Sequence, residues 1–213
     1  LAAMLNEINL TENKHIITVE DPVEFMHDNK KCLFSHRNVG TDTRSFAHAL
    51  KYAMREDPDI ILIGEMRDQE TVGAALTAAE TGHLVFGTLH TNSAPETINR
   101  IIDVFSGEEQ PQIRAQLATS LVAVISQALL PRIGGGRVAV QEIMITNPAI
   151  KNLVREDKVH QLYSQMQLNQ TQTGMVTQTQ ELVEYLRQKV ISKESAIQFS
   201  NRPDELMNVI KNL

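Results

Sequence analysis

The sequence predicts an α/β fold, a predominantly parallel sheet flanked by helices, followed by a small C-terminal helical bundle. Three observations predict it. Ile60-Ile61-Leu62-Ile63, bounded by Pro58 and Gly64, is an unbroken run of branched aliphatics, as in a strand buried on both faces. Two more apolar runs repeat its layout: His15-Ile16-Ile17-Thr18-Val19 leads into Glu20-Asp21-Pro22, and Leu84 to Leu89 leads into His90-Thr91. Segments with apolar residues at helical spacing alternate with these strands.

Taken in order, residues 1–8 read as a helix, apolar at helical spacing and rich in helix formers. After the His15 strand the polar content rises, and Cys32-Leu33-Phe34 forms at best a short edge strand. Ser45 to Arg55 reads as a helix with Phe46, Leu50 and Ala53 on one face and Asp42 or Thr43 as its cap. Asp68 to Thr81 follows the central strand as an alanine-rich helix, with Asp68 as N-cap and Gly82 at the left-handed stop. Pro95 to Val104 gives another helix. Gln112 to Leu130 reads as one long helix striped with Ile113, Leu117, Leu121, Val124, Ile125 and Leu129, ended by Pro131. Gly134-Gly135-Gly136 is a hairpin or linker turn, Arg137 to Ile145 a strand, and Pro148 opens a further helix.

Beyond Val159 the character changes. Gln165 to Gln180, rich in Gln and Thr around Gly174, reads as a mobile polar linker. Thr179 to Val190, Lys193 to Phe199 and Pro203 to Leu213 then read as three short helices. The expected organisation is a core over residues 1–158 and a helical subdomain over 159–213.

Composition narrows the class. A 213-residue chain with 42% hydrophobic and 22% charged residues has material for one full core and a small addition. One cysteine, Cys32, permits no internal disulfide and no cysteine-based zinc site. A net charge of −6 argues against a dedicated nucleic-acid binder, which carries a clustered basic footprint. No run approaches the length needed to span a bilayer as a helix.

The strand ends carry the chemistry. Open α/β sheets hold ligands at the carboxyl edge of their strands, and here that edge receives Glu20, Asp21, Glu65 and His90. One acid after a strand is usually a cap or a turn residue. Three strands ending in ionisable residues at matching positions make a site. His83 precedes its strand and His90 follows it, so at about 3.3 Å per residue they lie roughly 20 Å apart. Only His90 is at the ligand edge.

Asp57 to Asp68, with Thr81-Gly82-His83-Leu84 and Thr88-Leu89-His90-Thr91, resembles the secretion-superfamily hexameric ATPases. Ile17 to Glu24 resembles that family's acidic box. Pro148 to Glu156 resembles the signature of its type IV pilus retraction branch, departing at Lys151 and Val154. The likeness covers nearly the whole chain and weakens after about Thr171. It implies a RecA-like P-loop ATPase core using ATP and Mg²⁺, working as a homohexamer with the pilus machinery and its inner-membrane platform protein. It further implies a cytoplasmic location peripheral to the inner membrane and a role in pilus disassembly, retraction and twitching motility, with no nucleic acid involved.

The resemblance also distributes roles. Many P-loop enzymes end this strand in Asp-Glu, the Asp on the metal shell and the Glu on the attacking water. Here the pair is Gly64-Glu65, so Glu65 is expected to orient the water and Glu20, ahead of Asp21 before Pro22, to supply the Mg²⁺-shell acid. His90 is expected at the γ-phosphate. Asp21, Glu24, His83, Arg37 and Arg55 are expected to bind nucleotide, the arginines facing that of a neighbouring subunit, although Thr41 stands where many relatives carry another basic residue.

No G-x-x-x-x-G-K-[ST] phosphate loop occurs in the sequence. By resemblance Leu1 falls just after that loop, so these residues alone, also without the fold's first strand, are expected to hold ATP weakly and not to hydrolyse it. The nearest alternative is a pilus-extension or type II secretion ATPase of the same superfamily, typically marked by paired C-x-x-C zinc motifs that Cys32 cannot supply. A RecA-like DNA motor and a non-hydrolysing oligomerisation module are the more distant readings.

Overall fold

The computed structural model describes residues 1–168 and 170–211. The chain divides into two compact units, Leu1–His90 and Thr91–Leu213.

The first unit is a parallel sheet covered on both faces. Its elements are α1 (Ala2–Thr11), β1 (His15–Glu20), β2 (Leu33–Asn38), α2 (Phe46–Ala53), β3 (Ile60–Ile63), α3 (Gln69–Glu80) and β4 (Leu84–Gly87). The strand order is β2-β1-β3-β4, with every neighbouring pair parallel. Alternation along each strand sends side chains to opposite faces. Ile16, Ile60 and Leu62 pack with Leu5 of α1, Cys32 and Phe34. Ile61 and Ile63 pack with Leu50 of α2 and Ala75 and Ala78 of α3, while Ile17 and Val19 meet Ala49 and Ala53. The apolar runs are continuous because both faces are covered.

The edge strand is longer than Cys32-Leu33-Phe34, extending to Asn38 alongside β1. The cap of α2 is neither Asp42 nor Thr43 but Ser45, whose hydroxyl accepts the His48 N–H. Asp42 instead accepts the Asn38 N–H at 2.8 Å and closes the preceding turn. Asp68 caps α3 as expected, accepting from Thr71 N–H, and Gly82 follows it with φ +101°.

The second unit contains α4 (Ala94–Asp103), α5 (Gln110–Ser120), β5 (Ala123–Pro131), β6 (Arg137–Ile145), α6 (Pro148–Arg155), α7 (Leu162–Met166), α8 (Gln170–Thr173), α9 (Gln178–Arg187), α10 (Lys193–Phe199) and α11 (Pro203–Ile210). The expected long helix from Gln112 to Leu130 is not formed. It stops at Ser120, Leu121 turns extended, and β5 pairs antiparallel with β6 from Ala123↔Ile145 to Pro131↔Arg137. Val124, Ser126 and Leu130 are buried whereas Ile125, Gln127 and Leu129 are exposed, a period of two. Gly134, Gly135 and Gly136 all take positive φ in the hairpin turn, which gives β5 its partner.

The Gln165–Gln180 stretch is likewise not a free linker. Val176 bridges Ile143, Met175 is buried, and Thr177 and Gln180 form a capping box at the start of α9. Helices α9 to α11 then close over β5 and β6: Leu130 and Val140 share a cluster with Leu182, Val183, Ile191, Ala196 and Leu206. The expected boundary at 158/159 therefore differs from the division at 90/91, because the C-terminal helices supply the apolar cover for one face of the hairpin.

Candidate active site

Register sets the site. Val19, Ile63 and Gly87 are aligned across β1, β3 and β4, so Glu20, Gly64 and Thr88 leave the sheet side by side. A Cβ on Gly64 would lie 3.1 Å from the Glu20 Cα and 3.2 Å from the Val19 carbonyl oxygen. Glycine there lets the two strand ends close up, and the Gly64 N–H donates to the Val19 carbonyl at 2.7 Å. The Thr88 hydroxyl donates to the Gly64 carbonyl, and the Met66 N–H donates to the Thr88 carbonyl at 3.0 Å. The strand ends are thus stitched one to the next.

Beyond this edge opens a cleft of about 610 Å³, lined by Glu20, Asp21, Glu24, Glu65, Asp68, Arg67, Thr88 and His90, with Phe25, His27 and α1 forming other parts of the wall. Carboxylates outnumber cations, Arg67 being the one lysine or arginine among the lining residues. Glu65 is the connected member. It accepts from the Arg67 Nε, and the His90 Nε2 lies 3.0 Å from its Oε1. The Arg67 hydrogen bond holds the Glu65 carboxyl below the usual carboxylate range, helped by the Arg67 charge and then by His90. Glu65 is therefore anionic at neutral pH. A carboxylate has acceptor capacity for about four hydrogen bonds, so Glu65 retains room for a water.

The acidic box is braced from β2. The Val39 N–H donates to the Glu20 carbonyl at 2.9 Å, and the Asn38 Oδ1 accepts the Val23 N–H at 2.7 Å. Glu20 is half-buried at the strand end, while Asp21 and Glu24 are exposed on the turn around a cis Asp21–Pro22 bond.

The remaining site expectations fall elsewhere. Arg37 is bound to Glu56 through two contacts of 2.5 and 2.6 Å, and Arg55 lies 6.0 Å from the Tyr52 ring centroid. Neither lines the cleft. His83 sits at the amino end of β4, where its Nδ1 is 2.9 Å from the Ala78 carbonyl and 3.2 Å from the Thr81 hydroxyl. That is a helix-closing position, at the far end of the strand from His90. Arg67, Thr88 and Asn38 are contributors to which the sequence reading assigns no individual role. Arg67 had a signal, a cation two residues beyond a strand-end acid. Asn38 had none, since it is brought in only by the pairing of β2 with β1.

Comparisons with known proteins place the chain among its relatives. Over 204 residues the chain is 55% identical to the Type IV pilus retractation ATPase PilT of Pseudomonas aeruginosa, covering 96% of this chain and 59% of that protein. It is also 55% identical to a Twitching motility protein of Neisseria gonorrhoeae over 92% of this chain and 52% of the relative. The chain thus spans a little over half the length of these relatives. The crystal structure of the pilus retraction motor PilT with bound ADP superposes with a TM-score of 0.90 at 52% identity, over 97% of this chain and 58% of that one. The expected RecA-like α/β fold is therefore borne out. The family profile described as Type II/IV secretion system protein matches residues 1–135, well over half of the sequence, and the chain belongs to the type II/IV secretion system proteins.

Proposed function

We propose that the chain is the motor portion of a hexameric ATPase that couples ATP hydrolysis to type IV pilus disassembly and retraction. The observation that carries the reading is Glu65, anionic, bonded to His90 and Arg67, and set beside Glu20 at the carboxyl edge of a parallel sheet. A fixed carboxylate at this edge orients water, and a neighbouring imidazole N–H and guanidinium face developing charge on phosphate oxygens. The resemblance to PilT over nearly the whole chain, including the Pro148–Glu156 segment that forms α6, favours retraction over extension.

In this reading Glu65 takes a hydrogen bond from the attacking water, and His90 leaves Glu65 to meet the γ-phosphate when nucleotide enters. Asp21 and Glu24 border the nucleotide. Arg37, Arg55 and His83, which lie outside the chain's own cleft, serve the nucleotide of an adjacent subunit. The oxygen donors present fit Mg²⁺, which commonly takes one or two carboxylates and completes its shell with water and phosphate. Among the described residues no cluster of three or more His, Cys, Asp or Glu side chains makes a complete protein cage. Glu20 would hold the ion through its water shell, and when bound the ion neutralises charge on the phosphates. No described helix is long and apolar enough to cross a membrane, in keeping with a motor that docks on an inner-membrane platform protein from the cytoplasm.

The test is Glu65→Gln in the full-length protein. ATP binding is expected to persist while turnover falls on the order of a hundredfold or more, the usual scale for losing a water-orienting group. Near-normal steady-state hydrolysis would overturn the reading.

A further inference from the structure

We propose that the tip of the β5–β6 hairpin, with the connector between α9 and α10, is a docking surface for an anionic lipid membrane. The proposal does not rest on the reading of the catalytic edge, and every residue it uses lies in the second unit. The Ile133 N–H donates to the Val190 carbonyl at 2.8 Å, which ties the hairpin turn to the connector. Arg132, Arg137, Arg187, Lys189 and Lys193 all stand within four residues of that bond, and all are exposed. Among the described residues none of the five forms a salt bridge. The nearest acids along the chain are Glu184 and Glu194, and Glu184 already accepts from the Gln188 amide at 2.7 Å. The patch is thus net positive on a chain whose formal charge is −6.

Local energetics does not call for most of these cations. Arg187 ends α9, where a positive charge complements the helix dipole, and that role suffices for it. The others have no such reason. Lys193 is the first residue of α10, the end of a helix at which a cation is disfavoured. Lys189 follows the C-cap of α9 with φ +55°, a left-handed position where glycine is the usual residue. Arg137 is paired with Pro131, and the Arg132 N–H donates to the Gly136 carbonyl at 3.1 Å, so two like charges flank one tight turn. Such a cluster is stabilised by an anionic surface laid against it. At its front stands Ile133, 56% exposed. Gly134, Gly135 and Gly136 add no side chains, and a Cβ on any of them would meet nothing within 4 Å, so the tip projects into open space. An apolar side chain on a projecting turn flanked by cations matches the headgroup boundary of a bilayer, which takes the isoleucine below the level of the charges it binds. An acidic protein segment would answer the charges and leave Ile133 unused.

The experiment is co-sedimentation of the full-length protein with vesicles of phosphatidylcholine, with and without about one-third phosphatidylglycerol. The protein should partition onto the anionic vesicles alone, and raising salt from about 0.05 M to about 0.5 M should release it, since the screening length shortens about threefold. Arg132→Gln, Arg137→Gln and Lys193→Gln combined should cut the partition about tenfold or more, and Ile133→Ser about threefold or more. Lys30→Gln, Lys31→Gln and Lys51→Gln combined remove the same charge from exposed positions of the first unit, and should change it less than about twofold. Lys189→Gly separates docking from folding. It relieves the left-handed lysine, so the thermal midpoint should hold or rise while the partition falls about threefold. Absence of partition onto the anionic vesicles would overturn the proposal, as would partition that salt, the hairpin substitutions or Lys189→Gly leave unchanged, or that the first-unit substitutions reduce equally. Full partition by Ile133→Ser would overturn it too, and leave the patch to an acidic protein partner.

Discussion

At the scale of single residues, His27 shows how neighbours set a histidine's behaviour. Its ring stacks on Phe34 with centroids 4.8 Å apart and tilts against Phe25 at 4.7 Å. Its backbone N–H lies 3.2 Å from the His36 Nε2, and the His36 Nδ1 is 2.9 Å from the Thr18 hydroxyl. Burial first, then the charges of His36 and Lys30, push the His27 pKa below the ordinary 6.5. The unfolded chain therefore binds this proton more readily than the folded one. The penalty is absent above pH 6.5 and grows as pH falls through the ordinary value toward the folded one. Urea midpoints should drop between about pH 7.5 and about pH 5.5, and His27→Phe, which keeps the stack, should flatten that loss. The carboxyls of Asp59 and Glu65 are shifted below their ordinary values and so titrate below this window. An unchanged slope in His27→Phe would move the acid sensitivity to another group.

At the scale of elements, legibility followed how local the deciding contact was. β1 and β3 could be read because a strand buried on both faces writes an unbroken apolar run, β4 because its half-buried residues repeat the same layout, and Asp68 because an N-cap acts within three residues. The Gln112–Leu130 stretch could not. Ile113, Leu117, Leu121, Val124 and Ile125 fit a helical stripe, while Val124, Ser126 and Leu130 fit alternation equally well. The choice was made by β6, beyond the glycine turn. The Gln/Thr-rich segment failed differently, since its polarity suggested solvent whereas its polar groups satisfy one another. Gln170 and Gln180 exchange amide hydrogen bonds at 2.6 Å, and Thr177 is fully buried with its hydroxyl at the capping box. Thr177→Ala should therefore cost about 1 kcal/mol or more, as cap removals do. In a flexible linker the same change would leave the denaturation midpoint where it was, which is the outcome that would restore the linker reading.

At the scale of the whole molecule, the question is what the described cleft can do for a nucleotide by itself. Glu20, Asp21, Glu24, Glu65 and Asp68 line it against Arg67 and the imidazoles of His27 and His90. Arg67 is already committed to Glu65, and Arg37 to Glu56. In P-loop proteins most ATP affinity comes from glycine-loop N–H groups, the loop lysine and the adjoining helix N-terminus. No stretch of these 213 residues has that pattern. On the proposed reading the cleft offers groups suited to the γ-phosphate and few that would hold the triphosphate, and its carboxylates repel an anion in proportion to their number. Residues 1–213 alone, checked for folding by circular dichroism, should bind ATP no more tightly than about 1 mM, or roughly 4 kcal/mol of binding free energy. A longer protein carrying a G-x-x-x-x-G-K-[ST] segment ahead of Leu1 should bind and hydrolyse it. Calorimetric titration of the two decides the matter. Micromolar binding by the shorter chain would mean that the carboxyl edge of this sheet holds the triphosphate by itself, and the division of labour between edge and loop would have to be redrawn.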